Sequence, residues 1–145
     1  MIALLQRVLE AQVRVDEAVV ASIGHGLLVL IGVRPEDDAA AARKLLERIL
    51  KYRIFGDDQN RMNLNLGQIG GDLLLVPQFT LAADTRHGLR PGFSTAASPD
   101  LARRLFEELV AEARSQHPRV ECGVFGADMQ VALVNNGPVT FWLET

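Results

Sequence analysis

The stretch IALLQRVLEAQVRVDEAVVASIGHGLLVLIGV, residues 2–33, decides the fold class, because it opens the chain with strand after strand and no helix. IALLQRVLE (2–10), AQVRV (11–15), AVVASIG (18–24) and LLVLIGV (27–33) are rich in β-branched and aliphatic residues. Asp16-Glu17 and Gly24-His25-Gly26 separate them as short turns, so the spacing predicts antiparallel hairpins between neighbours. His25 falls in a turn and reads as a surface residue. The run LLVLIGV is the longest apolar stretch; it suits a buried strand and falls far short of the roughly 18 residues that a membrane-crossing helix requires.

Outward from this block, two helices are predicted. The first spans about 36–52, with Glu36, Asp37 and Asp38 in its first turn, where the helix dipole favours negative charge. Ala42, Leu45, Leu46, Ile49 and Leu50 form its apolar stripe. The second is capped by Ser98, has Pro99 at its first position and stops before Pro118. Its stripe is Ala102, Leu105, Phe106, Leu109, Val110 and Ala113. DLLLVPQF (72–79), RVECGVFG, MQVALV and VTFWLE supply further strands. Two helices are too few to cover both faces of a parallel sheet. The expected fold is α+β, a single domain over 1–145 with a mostly antiparallel, curved or barrel-like sheet.

Composition narrows the class. An apolar fraction of 48% argues for a packed core rather than disorder. One cysteine, Cys122, forms no internal disulfide, and the first residues lack a signal-peptide pattern, so a cytoplasmic protein is expected. With a net charge of −3, composition alone does not indicate a nucleic-acid binder. The exception is local: TRHGLRPG (85–92) gathers Arg86, His87 and Arg90, with Asp84 as its only acidic neighbour. A single Cys and scattered His25, His87 and His117 assemble no zinc site of ordinary spacing. P-loop, dinucleotide and G-x-S-x-G patterns are absent.

Two turns remain unexplained by a generic fold. In LLLVPQFTLAADTR, Pro77 cannot donate to a β-ladder and marks a strand end, leaving the N–H groups of Gln78, Phe79 and Thr80 partly free of sheet pairing. Free N–H groups converging there would suit a carbonyl oxygen or an oxyanion; an ordinary strand terminus is the plainer alternative. In LVNNGPVTFWLET (133–145), four turn-formers in a row exceed what a hairpin needs, and a Gly137-Pro138 bond has a cis form open to it. The plain alternative is a tight hairpin.

Taken together, PQFTL (77–81) and GPVT (137–140) resemble the paired motifs of the D-aminoacyl-tRNA deacylases. The likeness extends through QRV (6–8), GLLVLIGV (26–33), RIF (53–55), MNL (62–64), ADTR (83–86) and FGADMQV (125–131). It implies hydrolysis of the ester joining a D-amino acid, or mischarged glycine, to the 3′-terminal adenosine of tRNA, with no metal or organic cofactor. It also implies a homodimer with active sites at the interface. Gly137 and Pro138 of one subunit would reach into the other's pocket and hold the substrate amino group by main-chain carbonyls. Such a pocket admits D residues and excludes L side chains.

By the same resemblance, Arg7 braces the Gly-Pro loop, and Asn135 and Asn136 lead into it. Pro77, Gln78, Phe79 and Thr80 surround the ester, while Phe125 and Met129 shape the adenosine end. Ala102 is a small residue near that pocket. With a tRNA substrate, the few phosphate contacts an acidic protein needs are expected from Arg86 and Arg90 of the basic loop. The motif offers Thr80 no general base, so the expected nucleophile is water, aided by main-chain N–H groups and the RNA's 2′-hydroxyl. Pro77 stands where the commoner family form has Ser, so neither that hydroxyl nor that N–H is essential here. A related branch that acts on mischarged L-aminoacyl-tRNA also carries Pro there, but it lacks the Phe79 and Val139 of this chain; it is the alternative substrate reading. A non-catalytic tRNA-binding dimer is the third.

Overall fold

The computed structural model describes residues 1–145. Strand β1 runs unbroken from Ile2 to Val15, so the two opening segments are one strand. The chain reverses at Asp16-Glu17, both at positive φ (48° and 67°), the geometry of a tight two-residue hairpin loop. It then returns along β1 as β2 (Ala18–Ile23) and β3 (Gly26–Gly32). Val13 faces Ala21, Val8 faces Gly26 and Ile2 faces Gly32. β2 and β3 therefore pair with β1 one after the other, not with each other. Gly24-His25 is an interruption in one long return arm, and the hairpin expected there does not form.

The other edge of β1 is occupied by β8 (Gln130–Glu144), antiparallel from Gln130↔Arg14 to Glu144↔Ile2. Here a second expectation is corrected. NNGP does not turn the chain back, because the residues before and after it pair with the same strand in the same direction. Asn135 faces Val8 and Thr140 faces Gln6, so the four residues between them bulge out of a continuous strand. The partner strand, 14 residues long, keeps both halves in line.

Beyond β3 the sheet becomes parallel. Helix α1 (Ala39–Lys51), the short strands β4 (Phe55–Gly56) and β5 (Met62–Leu64), and then β6 (Asp72–Pro77) follow in the chain. β6 lies parallel to β3, and β7 (Val120–Cys122), reached through α2 (Pro99–Gln116), lies parallel to β6. The α+β class holds with a mixed sheet in the order β2-β1-β3-β6-β7, β8 lying on β1. Two helices suffice because the curved sheet wraps over its own second face. Val8, Val13, Ile23, Leu28, Leu74 and Val76 fill the inside of the curl. Leu27, Val29, Ile31, Leu73 and Leu75 point the other way, into a core completed by α1 and α2. The alternation of side chains along a strand produces both layers from the same residues.

α1 starts three residues later than its acidic run predicts. Asp38 is the N-cap, accepting from Ala41 N–H at 2.8 Å. Asp37 lies before the helix and is buried, accepting from Arg34 N–H at 2.7 Å and pairing with the Met1 amino group at 2.5 Å. α2 has the predicted Ser98 cap and Pro99 start. No helix is long and apolar enough to cross a membrane.

Candidate active site

β6 ends at Pro77, and a single turn of 3₁₀ helix, Phe79–Ala82, follows. Gln78 N–H donates to Ile31 C=O at 2.7 Å, extending the parallel ladder by one bond. Of the three amides expected to be free, Gln78 is therefore committed to the sheet. Phe79 and Thr80 open the 3₁₀ turn, where first-turn N–H groups have no intrahelical acceptor. Pro77 costs the ladder nothing. Along a strand, successive residues aim their N–H groups at opposite neighbours; since Gln78 faces β3, residue 77 faces β7. β7 has already ended there, its last paired residue, Cys122, lying opposite Leu75.

A cleft of about 280 Å³ opens at this strand end. Ile31 and Val33 wall it from the end of β3, and Val76, Pro77, Gln78 and Phe79 from the end of β6. Ala102 and Phe106 close it from α2, and Phe125 to Ala127, Met129 and Val131 from the segment entering β8. Six residues singled out from sequence meet here: Pro77, Gln78, Phe79, Ala102, Phe125 and Met129. No ionisable side chain lines the cleft. The three histidines lie elsewhere: His25 packs edge-on against Phe55, His87 is in an exposed loop, and buried His117 bonds Gly71 C=O through Nε2 at 2.8 Å.

Thr80 is exposed beside the cleft rather than among its lining residues. Gln78 Nε2 donates to Thr80 Oγ1 at 2.5 Å. With an acceptor site of the hydroxyl so used, its proton remains available to an incoming oxygen. Neither residue titrates near neutrality, so no general base adjoins the hydroxyl.

Arg7, Gly137 and Pro138 are not part of this cleft. Val131 lines it, and Gly137 lies six residues further along β8 (137 − 131), about 20 Å at the ordinary rise of a strand. The Gly137-Pro138 bond is cis, and both residues are exposed on the bulge. The bulge is held firmly from beneath. Arg7 Nε donates to Asn136 C=O at 3.0 Å, and its Nη1 to Ile54 C=O at 2.7 Å. Asn135 Oδ1 accepts from Val139 N–H at 2.7 Å, while its Nδ2 donates to Val139 C=O at 3.2 Å and Thr140 Oγ1 at 3.1 Å. Gly137 has φ +142°, and a Cβ there would stand 2.9 Å from Val139 N, so only glycine fits.

Arg86 and Arg90 are exposed in the loop that Asp84 and Gly92 close by mutual backbone bonds of 2.8 and 2.9 Å. Asp84 also accepts from Arg86 N–H at 2.9 Å and contacts His87 Nδ1 at 3.4 Å. The Arg86 amide, and after it the His87 ring, hold the Asp84 carboxyl below its usual range. Beyond the loop, Phe93 packs on Phe79 with ring centres 5.1 Å apart, coupling this basic segment to the mouth of the cleft.

Sequence reasoning missed the Asn135 clamp, read only as a lead-in, and the contribution of Ile31, Val33 and Phe106, absorbed into core stripes. A polar side chain two residues before a Gly-Pro pair, within bonding reach of the backbone just after it, was the available signal for the first.

The family model described as D-Tyr-tRNA(Tyr) deacylase matches residues 4–144. The chain belongs to that deacylase family. A protein of Thioalkalivibrio sulfidiphilus named D-aminoacyl-tRNA deacylase is 62% identical over 144 residues, covering 99% of this chain and 97% of its own. Its counterpart in Stutzerimonas stutzeri is 61% identical over 142 residues, 98% of each chain. Among solved structures, one titled c-Myc DNA Unwinding Element Binding Protein superposes with a TM-score of 0.96 at 32% identity, over 100% of this chain and 99% of that one. Deacylases of this family are hydrolases that release an amino acid from its ester with tRNA, and the chain is an enzyme of that family.

Proposed function

We propose that this protein hydrolyses the ester between a D-amino acid, or mischarged glycine, and the 3′-terminal adenosine of tRNA in the cytoplasm, sparing L-aminoacyl-tRNA. The observation that carries the reading is the separation of two half-sites within one chain. An apolar cleft ends at the free amides of Phe79 and Thr80, and a rigid, exposed Gly137-Pro138 bulge lies about 20 Å away along β8. A single chain cannot bring them together. A homodimer can, if each subunit inserts its bulge into its partner's cleft.

In that arrangement Phe125, Met129 and Ala102 receive the adenosine, and Pro77 to Thr80 surround the ester. Water attacks the ester carbonyl, whose developing oxyanion accepts from the Phe79 and Thr80 N–H groups. The bond to the ribose 3′-oxygen breaks, and the adjacent 2′-hydroxyl serves as the proton relay that the protein's side chains do not supply. Chirality is set by main chain rather than by a side-chain pocket. The carbonyls beside Gly137 and Pro138 hold the ammonium group so that the α-carbon presents hydrogen where an L side chain would have to sit. Arg7 and Asn135 keep those carbonyls in place, and Arg86 and Arg90 approach the tRNA phosphates.

Mixed dimers test the arrangement. One copy carries Gly137→Val, which ruins the bulge; the other carries Ala102→Trp, which fills the cleft. Each homodimer is expected to be inactive on D-aminoacyl-tRNA, and the mixed dimer to regain about half of the wild-type rate, since one intact cleft meets one intact bulge. A mixed dimer as inactive as its parents would overturn the cross-subunit site.

A further inference from the structure

Arg103 is the one cation placed against the wall of the cleft, and neither the family motifs nor the reaction scheme uses it. It follows Ala102 on α2, and its guanidinium carbon lies 4.8 Å from the centre of the Phe125 ring. Nη2 comes within 3.7 Å of the point a Cβ would occupy on Gly126, another residue of the cleft wall. The guanidinium donates no hydrogen bond within the protein. Its only ionic neighbour is Glu107 Oε1, 4.0 Å from Nη1, in an exposed pair one helical turn on. Such a pair contributes little and is readily exchanged. By contrast, Arg104 bonds Glu108 at 3.1 Å, and Arg7 spends its donors on two carbonyls. Arg103 thus presents a planar set of unused donors at the rim, steered by an aromatic face that fixes its position without consuming its N–H groups.

A guanidinium so placed matches a phosphate rather than a base. The ring face it covers is closed to stacking, and the cleft below is apolar and suits a nucleoside. With the 3′-ester held at Phe79 and Thr80 as proposed above, the tRNA chain has to leave the cleft through the adenosine's 5′-oxygen, and the next charge along it is the phosphodiester. We propose that Arg103 binds the phosphate 5′ to the terminal adenosine, so that the cleft recognises a 5′-phosphorylated adenosine end rather than a nucleoside alone. This inference rests on the aminoacyl-tRNA reading above.

The test compares wild type, Arg103→Gln and Arg103→Lys on D-aminoacyl-tRNA, with adenosine and AMP as competing inhibitors. The expected result for Arg103→Gln is a KM raised about five- to tenfold at unchanged kcat, with a salt dependence of log KM shallower by about 0.7, as for one lost single-strand phosphate contact. AMP should inhibit wild type several-fold better than adenosine, and Arg103→Gln no better than adenosine does. Arg103→Lys should restore most of both effects. Unchanged KM and an unchanged AMP-to-adenosine ratio in Arg103→Gln, with wild type active, would overturn the phosphate contact alone; so would equal weakening of adenosine and AMP. A wild-type protein that leaves D-aminoacyl-tRNA intact would overturn the functional reading beneath it.

Discussion

Arg7→Ala removes two hydrogen bonds at once, and the structure separates their consequences. The bond to Ile54 C=O, at 2.7 Å, ties β1 to the buried segment after α1. The bond to Asn136 C=O, at 3.0 Å, ties β1 to the bulge. Each is charge-assisted and in isolation contributes ~1.5–3 kcal/mol. Both bonds are only partly buried, although Ile54 itself is buried, so the carbonyls left behind recover part of that from water. The net destabilisation is then about 2–3 kcal/mol, which for a chain of this length lowers Tm by roughly 5–10 °C. The bulge's own share, about 1.5 kcal/mol, shifts the ratio of held to released geometry about tenfold toward release. The predicted outcome is a folded protein whose kcat/KM on D-aminoacyl-tRNA falls by up to about tenfold. Arg7→Lys, which reaches one carbonyl but not both, should lie between. The assay is release of labelled amino acid under single-turnover conditions, beside a thermal melt. An Arg7→Ala protein that melts 5–10 °C lower yet keeps the wild-type rate would refute the idea that bracing the bulge sustains catalysis.

Thr80→Ala is expected to lower kcat only about three- to tenfold, because the amide at that position remains and the hydroxyl has no base; complete loss in a folded variant would identify Thr80 as the nucleophile. Ala102→Leu should raise KM at least tenfold while overpacking destabilises by about 1–3 kcal/mol, and the two effects are read separately by kinetics and melting. Reversing Arg86 and Arg90 to Glu should weaken binding of whole tRNA at low salt, with the difference fading as salt screens it; unchanged kinetics at low salt would remove that loop from the tRNA surface.

Much of this was legible locally, and what was not follows one pattern. Ser98-Pro99 fixed the start of α2, and Pro77 fixed the end of β6, because capping and the missing proline N–H act within a few residues. Gly24-His25 and NNGP carry equally strong turn signals, yet neither reverses the chain. In both places a distant partner, β1, is long enough to pair with the residues on either side. Turn chemistry states that the backbone leaves the extended path; only the partner strand decides whether it returns to it. The parallel β3-β6-β7 portion was hidden for a related reason, since its second face is covered by the curl of the sheet and not by helices. At the site, Phe125 and Met129 were reachable only through family resemblance, as nothing in FGADMQ announces a cleft wall. Gln78 N–H was lost to the ladder because Ile31 C=O stands opposite, a neighbour 47 residues away (78 − 31).

The most direct test of the account is the rate of amino acid release from D- and L-aminoacyl-tRNA carrying the same side chain, with glycyl-tRNA alongside. A main-chain filter that reads only the α-carbon predicts rapid release of the D residue and of glycine, and an L rate at the uncatalysed background. Release of the L residue at a rate comparable to the D residue would contradict it.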